Sequence, residues 1–165
     1  MIELRINDRE VEVTLRRMLA RSQDPEPAMA GISMRMLGAV EDNFRAEGRP
    51  TRWKPLRSST VAARAAAGRA GKILQRTGHM ARSVTPFHSR AIAGVGTNVP
   101  YAAAMNNGSK PHLIKPKTKK ALKFNGRFAK KVNHPGTPPR EFMVMTERDR
   151  GDMLEIMAAH IASGA

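Results

Sequence analysis

Between Glu47 and Glu141 the chain carries no acidic residue, yet those 93 positions hold 20 Lys or Arg. Such a block cannot neutralise itself through internal salt bridges, so its cations must be solvated or face an anionic partner. The flanks differ: the first 47 residues hold nine acids and seven bases, and the last 25 hold five and two. The formal net charge of +15 is therefore concentrated in the middle of the chain, which excludes the near-balanced composition of an ordinary cytosolic enzyme. An apolar content of 41% excludes disorder throughout, and 165 residues suit one domain with a single core. The absence of Cys removes disulfides, thiolate nucleophiles and Cys-ligated zinc. The opening MIELRINDREVEV is charged from its third residue, which predicts no signal peptide, and no apolar run approaches a membrane span.

Local patterning predicts an α+β fold, an antiparallel sheet packed against two or three helices, with long loops and a basic β-hairpin. Ile2, Leu4 and Ile6 alternate with polar residues as in a short strand. Asp8 is placed to cap a helix whose Val11, Leu15, Met18 and Leu19 share one face, and Pro25 and Pro27 break it. Met29, Ile32, Met36, Leu37, Val40 and Phe44 then form the apolar stripe of a long helix ending at Gly48. Ser59-Thr60 are expected to cap a short helix over 60–70, and 48–72 reads as a long loop with that helix inside it. Ser83–His88 and Ala91–Gly96 predict a hairpin, and Val99–Asn106 a helical turn running to Gly108. His112–Lys117, Ala121–Asn125 and Phe128–Asn133 predict further strands, the last two joined at Asn125-Gly126, within a basic hairpin spanning 110–133. His134 to Pro139 is expected to be a rigid turn outside any strand, followed by a helix from about Thr146 with Met153, Ile156, Met157 and Ile161 on one face.

Candidates for catalysis are weak. The five His show no metal-binding spacing, and a metal site would need carboxylates from outside the basic block. No G-x-S-x-G elbow is present, and Gly94-Val95-Gly96-Thr97-Asn98 lacks the third glycine and the Lys of a phosphate loop. These features predict no catalytic residue, no cofactor and no metal. The strongest feature is electrostatic. Lys115, Lys117, Lys119, Lys120, Lys123, Arg127, Lys130 and Lys131 fall within 17 residues, interleaved with Phe124 and Phe128. One reading is contact with phosphates, helped by aromatic stacking. The favoured one is a hairpin with its two Phe toward the core and its Lys outward, facing solvent or an acidic protein.

Four ordered motifs carry a resemblance: Gly48…Trp53-Lys54-Pro55-Leu56…Thr60; Ile73-Leu74-Gln75-Arg76-Thr77-Gly78-His79-Met80…Ser83; Gly96-Thr97-Asn98-Val99-Pro100-Tyr101-Ala102…Gly108; and His134-Pro135-Gly136-Thr137-Pro138-Pro139-Arg140-Glu141-Phe142. Over roughly 30–162 the chain resembles the phage virion morphogenesis family, the tail-completion or neck proteins of Mu-like and P2-like phages. Met80 replaces a frequent Leu, and Asn106-Asn107 a bulkier pair. In physical terms the motif residues suit a scaffold. Trp53, Pro55 and Leu56 can anchor a loop, and Trp53 is expected to bury its ring against Val40 and Phe44. Thr77-Gly78 can start a helical turn, and the Tyr101 hydroxyl can tie the turn ending at Gly108 to the sheet. His134, Pro135 and Gly136 can aim Phe142 into the core.

The resemblance implies a structural protein of a tailed phage virion. It would act at the head–tail junction or tail end, assembling as a homo-oligomeric ring that docks onto neighbouring connector and tail proteins. It implies presence in the virion, and in the host cytoplasm during assembly, with no membrane. The alternative is a nucleic-acid-binding protein gripping phosphates, including genomic DNA, through the block 48–140; a hydrolase ranks third.

Overall fold

A computed structural model describes residues 9–117, 120–124 and 127–162. The strand expected at Ile2–Ile6, the Asp8 cap, Lys119 and the Asn125-Gly126 turn lie outside them. Among the described residues six helices and six short strands follow in the order α1 (Arg9–Ser22), α2 (Glu26–Ala46), α3 (Ser58–Ala66), α4 (His79–Arg82), β1 (Thr85–His88), β2 (Ala93–Gly96), α5 (Ala102–Asn107), β3 (His112–Ile114), β4 (Leu122–Phe124), β5 (Arg127–Ala129), β6 (Val132–His134) and α6 (Glu147–Ala162). The α+β class stands, but the strands form three separate antiparallel ribbons, β1–β2, β3–β6 and β4–β5, in place of one sheet.

The long helix α2 organises the rest, packing against both α6 and the β1–β2 hairpin. Pro27 in its first turn costs no hydrogen bond, because that amide has no helical acceptor. It ends where Glu47 turns left-handed (φ 56°), so that the amides of Glu47 and Gly48 close onto the carbonyls of Phe44 and Asn43. Val40 and Phe44 are buried as the stripe predicts, while Met29, Ile32 and Met36 are half-buried. Toward α6 the contact is made through small residues: a Cβ added at Gly31 would meet Ile156 at 3.1 Å.

The core gathers Val40, Phe44, Trp53, Ile73, Met80, Val84, Val99, Ala102 and Phe142. Each large member contributes about 1.5–3 kcal/mol by leaving water. Trp53 sits as expected: its ring meets Phe44 edge-on at 5.8 Å, and Phe142 lies 5.1 Å from Phe44 on another side.

Several expectations are corrected. No residue of α1 is buried, and Val11, Leu15 and Leu19 are each 59% exposed. The Arg21 guanidinium donates to the His160 carbonyl (3.3 Å), and His160 Nε2 lies 2.9 Å from the Asp24 carbonyl oxygen. These polar contacts to α6 set the rotation of α1, so half-buried Met18 is the only apolar member of its stripe not exposed. The helix α3 starts at Ser58 and stops at Ala66; Ser59-Thr60 lie in its first turn, and Arg57 occupies the cap without a side-chain bond. The strand expected over Phe128–Asn133 divides into β5 and β6. The β3–β6 register ends at Ile114 opposite Val132 and the β4–β5 register begins at Leu122 opposite Ala129, so Lys130-Lys131 separate two ladders, and Pro116 just after β3 has no N–H to extend the first. His134 belongs to β6, and Thr137 bridges Ser109 by mutual backbone bonds of 2.9 and 3.0 Å. The expected turn is thus partly paired.

The segment after that turn is held by α5 without forming a strand. Asn106 Oδ1 accepts the amides of Phe142 (3.0 Å) and Met143 (3.1 Å), and the Arg140 amide donates to the carbonyls of Met105 and Asn106. Asn106→Ala leaves two amides without their acceptor and is expected to cost about 1–3 kcal/mol, measured as a lowered urea midpoint.

Candidate functional site

Residues 109–137 form a basic arm: β3–β6 at its base, β4–β5 beyond, with the Ser109–Thr137 bridge closing it. The base is tight. A Cβ on Gly136 (φ 85°) would lie 2.3 Å from the Ser109 carbonyl oxygen, so only glycine fits there. His112 and His134 stack across the base with centroids 4.9 Å apart. The Gly136 amide donates to His134 Nδ1 at 3.1 Å, which places the ring proton of a neutral His134 on Nε2.

The arm brings the predicted cations together. Lys115, Lys117, Lys120, Lys130 and Lys131 are all exposed, and Lys123 and Arg127 lie on the backbones of β4 and β5. The expectation that Phe128 faces the core is wrong: it is 71% exposed. Among the described residues β4 and β5 pair only with each other, so no further strand covers this ribbon. Among the described Lys and Arg of the acid-free block, only Arg49 and Arg90 form an ion pair with a carboxylate. The other described cations of the block have no carboxylate partner among the described residues.

The scaffold residues divide. Trp53 Nε1 donates to the Glu141 carbonyl at 3.3 Å, Leu56 packs at the core edge, and Pro55 is exposed. Gly78 (φ 68°) precedes α4 as expected, with the Thr77 hydroxyl oxygen accepting the His79 amide at 3.4 Å. Gly108 (φ 77°) ends α5, and Phe142 is fully buried. Tyr101 departs from expectation: it is 46% exposed, and its hydroxyl makes no hydrogen bond to a described residue. It stands at the start of α5 and lines a shallow cleft with Arg64 and Arg76.

Sequence reasoning missed the buried polar residues. Asp149 is fully buried and accepts from Arg49 Nη2 at 3.0 Å, from Arg35, and from the Thr146 amide and hydroxyl at 2.9 and 2.7 Å. Burial pushes its carboxyl up. The Thr146 hydrogen bonds and the Arg49 and Arg35 charges outweigh that and hold it below the usual carboxylate range. Asn43 donates to the carbonyls of Phe142 (2.9 Å) and Val144 (2.8 Å) and accepts from Arg49 Nε at 2.9 Å. Arg140 is buried beside the 134–138 turn; burial and the nearby Arg64 charge push it below the ordinary arginine value. The available sequence signals were Thr146-x-x-Asp149, a capping-box spacing, and the place of Arg140 inside the fourth motif.

Among the described residues no group of three or more His, Asp or Glu could hold a metal ion, and no helix is long and apolar enough to cross a membrane. Fold and surface together define an α+β protein with one small apolar core and a protruding cationic ribbon. Residues 6–162 match the phage virion morphogenesis family, and the chain belongs to it. It is 33% identical over 156 residues to the Mu-like prophage FluMu G protein 2 of Haemophilus influenzae, an alignment covering 94% of this chain and 92% of the relative. No solved structure matches. The four sequence motifs all lie inside the matched span, and the protein has a role in phage virion morphogenesis.

Proposed function

We propose that this protein is a non-enzymatic component of the head–tail junction of a tailed phage, a neck or tail-completion protein acting as a homo-oligomeric ring. The chain acts as one morphogenesis domain, present in the virion and in the host cytoplasm during assembly. The observation that carries the reading is the basic arm: exposed lysines without a carboxylate partner among the described residues, on a two-stranded ribbon, in a member of a virion morphogenesis family. Closed rings need two complementary surfaces on each subunit, and a protruding arm supplies one of them or reaches the next ring. Against an acidic neighbour, a lysine-rich ribbon sets docking register and encounter rate more than affinity.

A phage lacking the gene is expected to make filled heads and separate or unstable tails, with no infectious particles. Normal particle yield would remove the assembly role, and empty heads alone would point to packaging. A phage carrying Lys119→Glu, Lys120→Glu, Lys130→Glu and Lys131→Glu is expected to fail in joining heads to tails, while the purified wild-type protein binds duplex DNA only weakly at physiological salt. Tight DNA binding, with log K falling by about 0.9 per phosphate neutralised against log salt and lost in this variant while virions assemble normally, would favour genomic DNA as the partner.

A further inference from the structure

We propose that the cleft between the N-terminus of α3 and the 134–138 turn is a socket for an acidic side chain of an adjoining virion protein, with Arg140 as the carboxylate-binding residue. The choice of partner rests on the assembly reading above; the site rests on its own geometry.

The cleft encloses about 500 Å³ and is lined by Lys54, Arg57, Ser59, Thr60, His134 and Arg140 among others. Arg140 is only 7% exposed. Its Nη2 donates to the Lys54 carbonyl at 3.3 Å, its buried Nε has no acceptor, and no described carboxylate pairs with it. A guanidinium does not deprotonate, so the fold holds a buried charge that it leaves largely uncompensated. Nothing facing it within the cleft is anionic. Lys54 and Arg57 are exposed beside it, His134 Nδ1 is already taken by the Gly136 amide, and the whole span from 48 to 140 is free of acids. The helix α3 adds its positive end: its cap supplies no side-chain bond, and the Ser59 amide has no acceptor among the described residues.

Depth selects the kind of anion. Phosphates of a duplex lie on the outside of a stiff rod and cannot descend to a guanidinium that is nine-tenths buried. An Asp or Glu carboxylate, carried on its own stem, can, and its two oxygens match the planar guanidinium fork. The socket and the arm thus differ in kind, one a recessed arginine for a single carboxylate, the other an exposed lysine ribbon.

The test is calorimetric titration of the full-length protein at physiological salt with hexaglutamate peptide, inorganic phosphate and a short DNA duplex. The titrations are made in the background of Lys120→Glu, Lys130→Glu and Lys131→Glu, which weakens attraction to the arm. Hexaglutamate is expected to bind, and Arg140→Gln to weaken it by about tenfold or more. The same variant should melt at or above the temperature of the protein carrying Arg140, since it removes an uncompensated buried charge. Ser59→Glu, an exposed change in the first turn of α3 where an acid is tolerated, fills the socket from within and is expected to weaken hexaglutamate comparably. It keeps the test decisive should Arg140→Gln fail to fold. No hexaglutamate binding, or binding that neither variant diminishes, would overturn the site. Arg140-dependent binding of phosphate or DNA as tight as that of hexaglutamate would overturn the carboxylate assignment. These outcomes are independent of particle yield from the gene deletion, which tests the assembly reading alone.

Discussion

Trp53→Ala is expected to lower stability by about 3–5 kcal/mol, the range for deleting a buried aromatic ring from a core that cannot collapse around the space. The ring lies at 7% exposure between the loop after α2 and the chain before α6. It meets Phe44 edge-on, and its Nε1 donates to the Glu141 carbonyl, so truncation removes apolar contact and orphans a carbonyl together. The loop itself is anchored there: the Trp53 amide donates to the Glu47 carbonyl at 2.8 Å, and the Gly48 amide to Asn43 at 2.9 Å. Urea denaturation of both proteins measures the loss. Wild-type Trp fluorescence should be blue-shifted and poorly quenched by acrylamide; red-shifted, quenchable emission would instead mark an exposed Trp awaiting a partner.

Asp149→Ala should cost about 3 kcal/mol, the low end of the range for breaking a buried ion pair, because Arg35 and Arg49 keep their outer partners Asp152 and Asp42. Arg49 and Arg35 lose their shared carboxylate, and the Thr146 amide and hydroxyl lose their acceptor at the start of α6. The carboxyl titrates below its ordinary value in the folded chain, so its contribution is present in full above the unfolded carboxylate range. It falls as pH drops below about 4 and through the lower folded value. Urea midpoints at neutral pH and at successively lower pH should therefore converge for wild type and Asp149→Asn in acid. A constant gap between the two across that range would show that the carboxylate charge is not what matters there.

Both predictions fall on long-range contacts, which marks the limit of reading the chain locally. The stripe of α2 was legible because residues three and four apart must share a face, whatever they pack against. The β1–β2 hairpin and the α5 turn were legible for the same reason, their signals being confined to a few neighbouring residues. The equally regular stripe of α1 misled. Periodicity identifies an apolar face but not its cover, and hydrogen bonds from Arg21 and His160, 139 residues apart, turned that face outward. The arm was legible as a basic, turn-bounded segment. Its division into two ribbons and the outward Phe128 were not, because strand register depends on the lengths of both sides.

From the sequence alone came the segregation of charge: a middle block without acids cannot satisfy its own cations, in any fold. The family resemblance, the α+β class and the placement of Trp53 at the core also followed from local pattern and motif. Tertiary structure decided which few charges are reconciled inside the molecule. It paired Arg49 with Asp149 across 100 residues, buried Asn43 against the carbonyls of Phe142 and Val144, and enclosed Arg140 without a carboxylate. The physical reason is that desolvation is a property of a place in three dimensions. A residue's charge is written in the chain, but whether water or a partner answers it depends on what the fold brings beside it.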